Sequence, residues 1–180
     1  VSLLRALAEQ QDSEAEHSLG ACYLAGTGVP RVAAAAARWF RRSADQGNSV
    51  AQFSLGNCYL VGDGVERDPA EAARWMRQSA DQGHAGALLA LGHAYYRGEG
   101  VTKNFPEAAH CYRLSAAQNN AHAQFALAKM LSRGEGVTKN EVRAIGLYRL
   151  SAAQGFSNSH LALGKCYLGG YGVDKDPAEG

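Results

Sequence analysis

Apolar and polar positions alternate along the chain at helical spacing, and the whole pattern recurs every 36 residues. In the first unit Ala15, Leu19, Cys22 and Tyr23 lie at i, i+4, i+7 and i+8, which places them on one face of an α-helix, called helix A. The leucine position continues at the same step: Leu19, Leu55, Leu91, Leu127 and Leu163. The pattern predicts five successive copies of helix A.

Glycines predict the end of each helix A, because glycine adopts the left-handed conformation after a helix without strain. They form two series: Gly26, Gly62, Gly98, Gly134 and Gly170, and Gly28, Gly64, Gly100, Gly136 and Gly172. A second helix, helix B, is predicted to begin at Asp68, with Pro69 at its first position and Glu71 three residues after the cap. The same start recurs as Asn104 with Glu107 and as Asp176 with Glu179, whereas Val32 takes the cap position of the first unit. Helix B is predicted to stop at Gly47, Gly83 and Gly155, and at Asn119 in the third unit.

Two short helices cannot bury their apolar faces alone, but stacked copies can. A series of small residues predicts where helix A lets helix B approach: Gly20, Gly56, Gly92, Ala128 and Gly164. We predict an all-α fold, a right-handed α/α superhelical solenoid of about five 36-residue helix-loop-helix repeats that is truncated at both ends. A single repeat array is expected over residues 1–180. It comprises residues 1–11 as the end of a preceding helix B, repeats 12–47, 48–83, 84–119 and 120–155, and a partial repeat 156–180.

The motif of the second unit is similar to that of a known family. It runs through Ala51, Leu55, Gly56, Tyr59, Gly62, Gly64 and Val65, and continues with Asp68, Ala72, Trp75, Ala80 and Gly83. This motif resembles the Sel-one-like repeat (SLR) family, a relative of the tetratricopeptide repeat with a longer glycine-rich loop, and the resemblance covers essentially the whole chain. It implies a scaffold or adaptor that holds protein partners, without a common catalytic activity.

Composition and net charge argue against three classes of protein: disordered segments, membrane-inserted proteins and nucleic-acid-binding proteins. The chain has 180 residues, of which 46% are hydrophobic, and a formal net charge of +1. The apolar fraction is too high for a disordered segment, and no apolar run reaches about 18 residues, so we expect no membrane insertion. The small net charge argues against nucleic acid as the partner. The compartment stays open between cytoplasm and periplasm.

Candidate chemistry is sparse. Cys22, Cys58 and Cys166 share one position of the repeat, but packed helices lie roughly 8–10 Å apart and a disulfide needs Cα atoms within about 7 Å. We therefore predict free thiols at these positions and at Cys111. The Gly-x-Gly loops lack a phosphate-binding motif, and the six histidines form no metal-binding or nucleophile motif. The sequence predicts no catalytic residue, no metal and no cofactor.

The side of helix A opposite its core face carries charged and aromatic residues. In tetratricopeptide-type solenoids this side lines a concave groove, and charge beside apolar anchors is typical of peptide-binding surfaces. The candidate partner-binding residues are Asn57, His93, Tyr96, Arg97, His122, Lys129, Arg133 and Lys165.

The basic residues resemble, in part, the carboxylate clamp with which some tetratricopeptide domains hold acidic chaperone tails. The clamp lysine of the first of those repeats has no counterpart, because His17 and Phe53 occupy its position. We predict a protein-protein interaction scaffold whose groove binds a partner peptide or protein, with an acidic segment as one candidate. Two alternatives stay open: an architectural array that self-associates through uncapped ends, and a ligand-binding or enzymatic accessory domain.

Overall fold

The computed structural model describes residues 1–171, and within them the chain forms ten α-helices and no strand. They are α1 (Ser2–Glu9), α2 (Ser13–Ala25), α3 (Ala33–Asp45), α4 (Ser49–Val61), α5 (Pro69–Asp81), α6 (Ala85–Arg97), α7 (Phe105–Ala117), α8 (Ala121–Arg133), α9 (Glu141–Ala153) and α10 (Ser157–Gly169). The even-numbered helices are the predicted A helices, and α3, α5, α7 and α9 are the B helices. The predicted all-α repeat fold is confirmed. The positions Gly172, Asp176 and Glu179 lie outside the described residues.

The side-chain caps predicted at Asp68 and Asn104 are present at the starts of α5 and α7. Asp68 accepts hydrogen bonds from the N–H groups of Ala70 and Glu71, both at 3.0 Å, and Val32 makes no side-chain cap. Glu71 does not return a bond to the Asp68 N–H, which instead donates to the Tyr59 carbonyl at 2.9 Å. The Glu71 carboxylate is occupied by Arg74 and by the indole of Trp75.

The predicted helix ends are also present. Gly26, after α2, has φ +76° and donates its N–H to the Cys22 carbonyl at 2.8 Å. Asn119, which takes the place of glycine after α7, has φ +63°. The change from glycine to asparagine therefore keeps the left-handed turn, as predicted.

The described chain divides into two compact units, and each has its own core. Unit 1 comprises residues 1–87 and 99–101, and unit 2 comprises residues 88–98 and 102–171 of the described part. One core cluster of unit 1 includes Phe40, Leu55 and Trp75. The core of unit 2 is built around Tyr112, Leu127, Met130 and Tyr148.

Small residues allow the helices of a pair to approach closely. A Cβ added at Gly20 would lie 2.7 Å from a ring carbon of Phe40 and 3.2 Å from the Ala36 carbonyl oxygen. A Cβ at Gly56 would lie 3.2 Å from the Ala72 carbonyl oxygen. The predicted role of this small-residue series is confirmed at both positions.

The glycine loops pack on the start of the preceding B helix. A Cβ at Gly64 would lie 2.2 Å from the Ala33 carbonyl oxygen, and in unit 2 a Cβ at Gly136 would lie 2.4 Å from the Phe105 carbonyl carbon. The neighbouring loop residue in unit 1, Asp63, forms a 2.6 Å ion pair with Arg31. At both positions the backbone of one repeat thus contacts the repeat before it.

Candidate functional site

Seven of the eight predicted partner-binding residues lie in unit 2, on α6, α8 and α10. We call them the basic surface: His93, Tyr96, Arg97, His122, Lys129, Arg133 and Lys165. On α8, Phe125, Lys129 and Arg133 follow one another at i, i+4 and i+8 and so project from one side of the helix. The spacing along α8 therefore places two cations on the same side as an aromatic ring.

A small cavity of about 170 Å³ brings five of these residues together. It is lined by His93, Tyr96, Arg97, Tyr112, His122, Phe125, Ala126 and Lys129. The edge of the His93 ring faces Tyr112, with ring centroids 5.4 Å apart. Burial lowers the pKa of His93, and the nearby positive charges of Arg97 and His122 lower it further. Lowering the pKa of His93 favours its neutral form, while Arg97 and Lys129 supply cationic side chains to this cavity.

A larger cavity of about 490 Å³ adjoins the small one, with which it shares Phe125 and Lys129. Its cationic residues are Lys129, Arg133, Lys139 and Lys165. The only carboxylate among its lining residues is Glu141, which lies 2.7 Å from the Lys139 amine. Among the lining residues that the structure describes, cations therefore outnumber carboxylates.

Tyr96 and Glu135 fix part of the border of the basic surface. The Tyr96 hydroxyl donates a hydrogen bond to Glu135 at 2.9 Å, and the Arg133 guanidinium lies 3.5 Å from the same carboxylate. Burial raises the pKa of Tyr96, as does its bond to Glu135. The phenol thus remains a neutral donor, while Lys129 lies 5.8 Å from the centre of its ring.

The fold and the repeat pattern of this chain are those of a known family. The Sel1 repeat model matches residues 13–48, 49–84, 85–120, 121–156 and 157–180. The chain belongs to the Sel1 repeat family. Proteins of this family are generally non-enzymatic protein-interaction scaffolds.

Solved structures of other Sel1 repeat proteins have the same fold. A protective antigen of uropathogenic Escherichia coli with an SLR fold is 38% identical over 98% of this chain, with a TM-score of 0.94, and the chain spans 38% of that protein. A Sel1 repeat protein from Oxalobacter formigenes is 34% identical over 93% of this chain and 69% of its own, with a TM-score of 0.88. An immunity protein from Pseudomonas aeruginosa shares only the fold, at 19% identity and a TM-score of 0.58 over 99% of this chain and 64% of its own. No curated protein matches the chain.

Asn57, the eighth predicted residue of this Sel1 repeat chain, lies half-buried on α4 of unit 1. Lys139, Tyr112 and Tyr148 also line the cavities, although the sequence did not predict them as site residues. Lys139 is in a glycine loop, and the two tyrosines are on B helices, so none of them belongs to the A-helix positions on which the prediction was built. Tyr112 and Tyr148 are the first residues of the identical segments 112–118 and 148–154. This identity is the sequence signal that could have indicated a shared structural role for the two tyrosines.

Nothing in the described part of the Sel1 repeat chain indicates a metal centre or a membrane segment. Residues 1–171 contain no cluster of three or more His, Cys, Asp or Glu side chains that could hold a metal ion. None of the helices in that range has both the length and the apolar character needed to cross a bilayer.

The four cysteines are free thiols, as predicted, and should differ in reactivity. Burial, followed by the charge of Asp63, raises the pKa of Cys58 to about 11, so its reactive thiolate is scarce at neutral pH. We expect iodoacetamide to label the half-buried Cys22 and Cys166 before the buried Cys58 and Cys111. Peptide mass spectrometry over a time course measures the order, and labelling in urea provides the control. Equal rates for all four thiols in the folded chain would contradict this burial pattern.

Proposed function

We propose that this chain is a scaffold whose basic surface binds an acidic segment of a partner protein. The observation that carries the proposal is the pair of adjoining cavities in unit 2, which share Phe125 and Lys129. Aromatic walls supply anchor contacts for apolar side chains, and the surrounding cations attract carboxylates.

The charges of the basic surface are available to a ligand. Arg97 and Lys165 form no salt bridge within residues 1–171, and Arg97 is exposed. Arg133 lies 3.5 Å from Glu135 and also bonds the Tyr96 hydroxyl. A carboxylate-bearing segment would therefore meet Arg97 and Lys165 as cations without a salt bridge, beside the partly paired Arg133.

The cavity size fits a peptide. The larger cavity, of about 490 Å³, lies within the range of roughly 300–1,000 Å³ seen for ligand pockets. Its apolar lining includes Phe125, Tyr148 and Leu161. We therefore expect one bulky apolar side chain of the partner to enter it, with acidic residues on either side.

Charge reversal tests this function. Peptides selected from a random library on the purified chain should be rich in Asp and Glu, and Arg97→Glu with Arg133→Glu should weaken their binding at least about tenfold. The expected cause is the loss of attraction to carboxylates, since both residues are exposed and contribute little to the fold. Fluorescence polarisation with labelled peptides measures the affinity, and circular dichroism measures the helix content and Tm.

Arg38→Glu is the control, because Arg38 is exposed on α3 of unit 1. It should leave binding within about twofold of the unchanged chain, since Arg38 lines neither cavity and salt screens a single exposed charge. Peptide binding that is unaffected by the double reversal would refute the acidic-segment proposal. Concentration-dependent sedimentation of the chain in that case would favour the self-associating array instead.

A further inference from the structure

A second pair of cavities lies in unit 2 on the other side of α8 and α9. Their volumes are about 420 and 450 Å³, and both are bordered by Arg113, Leu127 and Arg143. Leu131 also lines the first, and Leu147 and Leu150 line the second. At about 100° per residue, Leu127 and Leu131 lie roughly 200–240° around α8 from Phe125 of the basic surface. The two pairs of cavities are therefore separated by the helices themselves.

The repeat provides an internal comparison, because the corresponding place in unit 1 is filled. Two repeats earlier, Tyr59, Glu71 and Trp75 stand where unit 2 has Leu131, Arg143 and Leu147. Arg41, the counterpart of Arg113, donates a hydrogen bond to the Tyr59 hydroxyl. Trp75 is buried and donates its indole N–H to Glu71 at 3.0 Å.

Three residue differences from unit 1 leave the corresponding space in unit 2 unfilled. Leu131 lacks the hydroxyl that Tyr59 offers to an arginine, and Leu147 is smaller than Trp75. Arg143 replaces the Glu71 carboxylate, so the local charge is reversed. Within residues 1–171, the side chains of Arg113 and Arg143 form no salt bridge and no hydrogen bond.

The surface beside these cavities is also more apolar than its counterpart. Leu114 and Leu150 are 43% and 55% exposed. Arg42 and Gln78 occupy the same position of the repeat in unit 1. Unit 2 thus combines exposed leucines with two arginines that have no carboxylate partner, where unit 1 has a closed polar cluster.

We propose that Arg113, Leu131, Arg143, Leu147 and Leu150 form a second binding site, the B-helix site, for an amphipathic acidic segment of a partner protein. The guanidinium groups would bind a carboxylate, for which their planar geometry is suited. Apolar side chains next to that carboxylate would bury against the leucines. Because the site is on the other side of α8 and α9, it operates alongside the basic surface and allows the chain to hold two segments at once.

The site is tested by introducing into unit 2 the residues that fill the corresponding space in unit 1. The variant Leu131→Tyr, Arg143→Glu and Leu147→Trp places at each position the residue that unit 1 carries. Random-library peptides are selected on the full chain and depleted on this variant. We expect the survivors to pair Asp or Glu with a neighbouring Leu, Ile or Phe, and to bind the variant at least about tenfold more weakly.

Two further variants make the outcome decisive. Arg113→Gln with Arg143→Gln removes only charge from exposed side chains, so it replaces the rebuilt variant in both the depletion and the binding measurement if the rebuilt core does not fold. It should weaken the same peptides at least about fivefold, whereas Arg97→Glu with Arg133→Glu should leave them unaffected. The proposal is overturned if no acidic peptide remains after depletion. It is also overturned if the remaining peptides bind the Arg113→Gln, Arg143→Gln variant as tightly as the unchanged chain. Peptides that respond only to Arg97 and Arg133 would support the basic surface and reject the B-helix site.

Discussion

Gly64→Ala is expected to lower the free energy of unfolding by about 4 kcal/mol, because it adds a steric clash to an unfavourable backbone conformation. Gly64 has φ +81°, and its Cβ would lie 2.2 Å from the carbonyl oxygen and 2.3 Å from the carbonyl carbon of Ala33. Both atoms belong to the backbone at the start of α3, so no side-chain rotation can relieve the contact. Urea denaturation followed by circular dichroism measures the loss.

Gly83→Ala is the matched control in the same unit. Gly83 has φ +83°, but nothing lies within 4 Å of its added Cβ. We expect this variant to lose only about 1–2 kcal/mol, the cost of the left-handed conformation. Equal losses for the two variants would contradict the expected clash between the added Cβ at position 64 and the backbone of α3.

Arg42→Ala is expected to destabilise the chain by about 2 kcal/mol, because the buried Glu16 carboxylate loses the cation with which it is paired. Glu16 is 0% exposed, and its Oε1 lies 2.8 Å from the Arg42 guanidinium. Its other oxygen accepts a 2.6 Å hydrogen bond from the Gln46 amide. The expected loss is smaller than the 3–5 kcal/mol typical of a fully buried pair, since the Arg42 side chain is 45% exposed.

The Glu16→Gln background provides the test of this pair. The next repeat carries Gln52 at the same position, where it accepts a 2.8 Å bond from Gln82. Glu16→Gln alone should therefore cost less than about 1 kcal/mol, and Arg42→Ala in that background should lose less than in the unchanged chain. A double-mutant cycle from urea denaturation gives the difference. The contacts of Arg42 with the Ala8 carbonyl and the Trp39 ring are lost in both backgrounds, so their contribution to the free energy of unfolding cancels in the difference. A coupling energy near zero would show that Glu16 does not depend on Arg42.

Much of the fold follows from the sequence because each local signal recurs at the same position of the repeat. Gly26 and Asn119 predicted left-handed turns that the structure contains. Gly20 and Gly56 predicted close helix contacts, and the added Cβ distances confirm them. These predictions were confirmed because each concerns either the backbone conformation of one residue or the space beside it. A single residue type is enough to indicate both properties.

The B-helix site could not be predicted in the same way. Its cavities depend on three positions changing together, at Leu131, Arg143 and Leu147, and each change alone appears as an ordinary surface or core substitution. The bonding of Glu71 to Arg74 and Trp75, rather than to the cap, likewise depends on side chains one turn away. Helical spacing indicates which side of a helix a residue occupies, but packing decides whether the space beside it is filled.

The backbone contact between a glycine loop and the preceding B helix, seen at Gly64 and Gly136, has an evolutionary consequence. In each unit this contact is made by backbone atoms, which every amino acid possesses, beside a glycine that recurs in all five repeats of the sequence. Side chains elsewhere in the repeat can then differ between copies without altering that contact. One copy can acquire a new recognition surface while the other copies keep their packing.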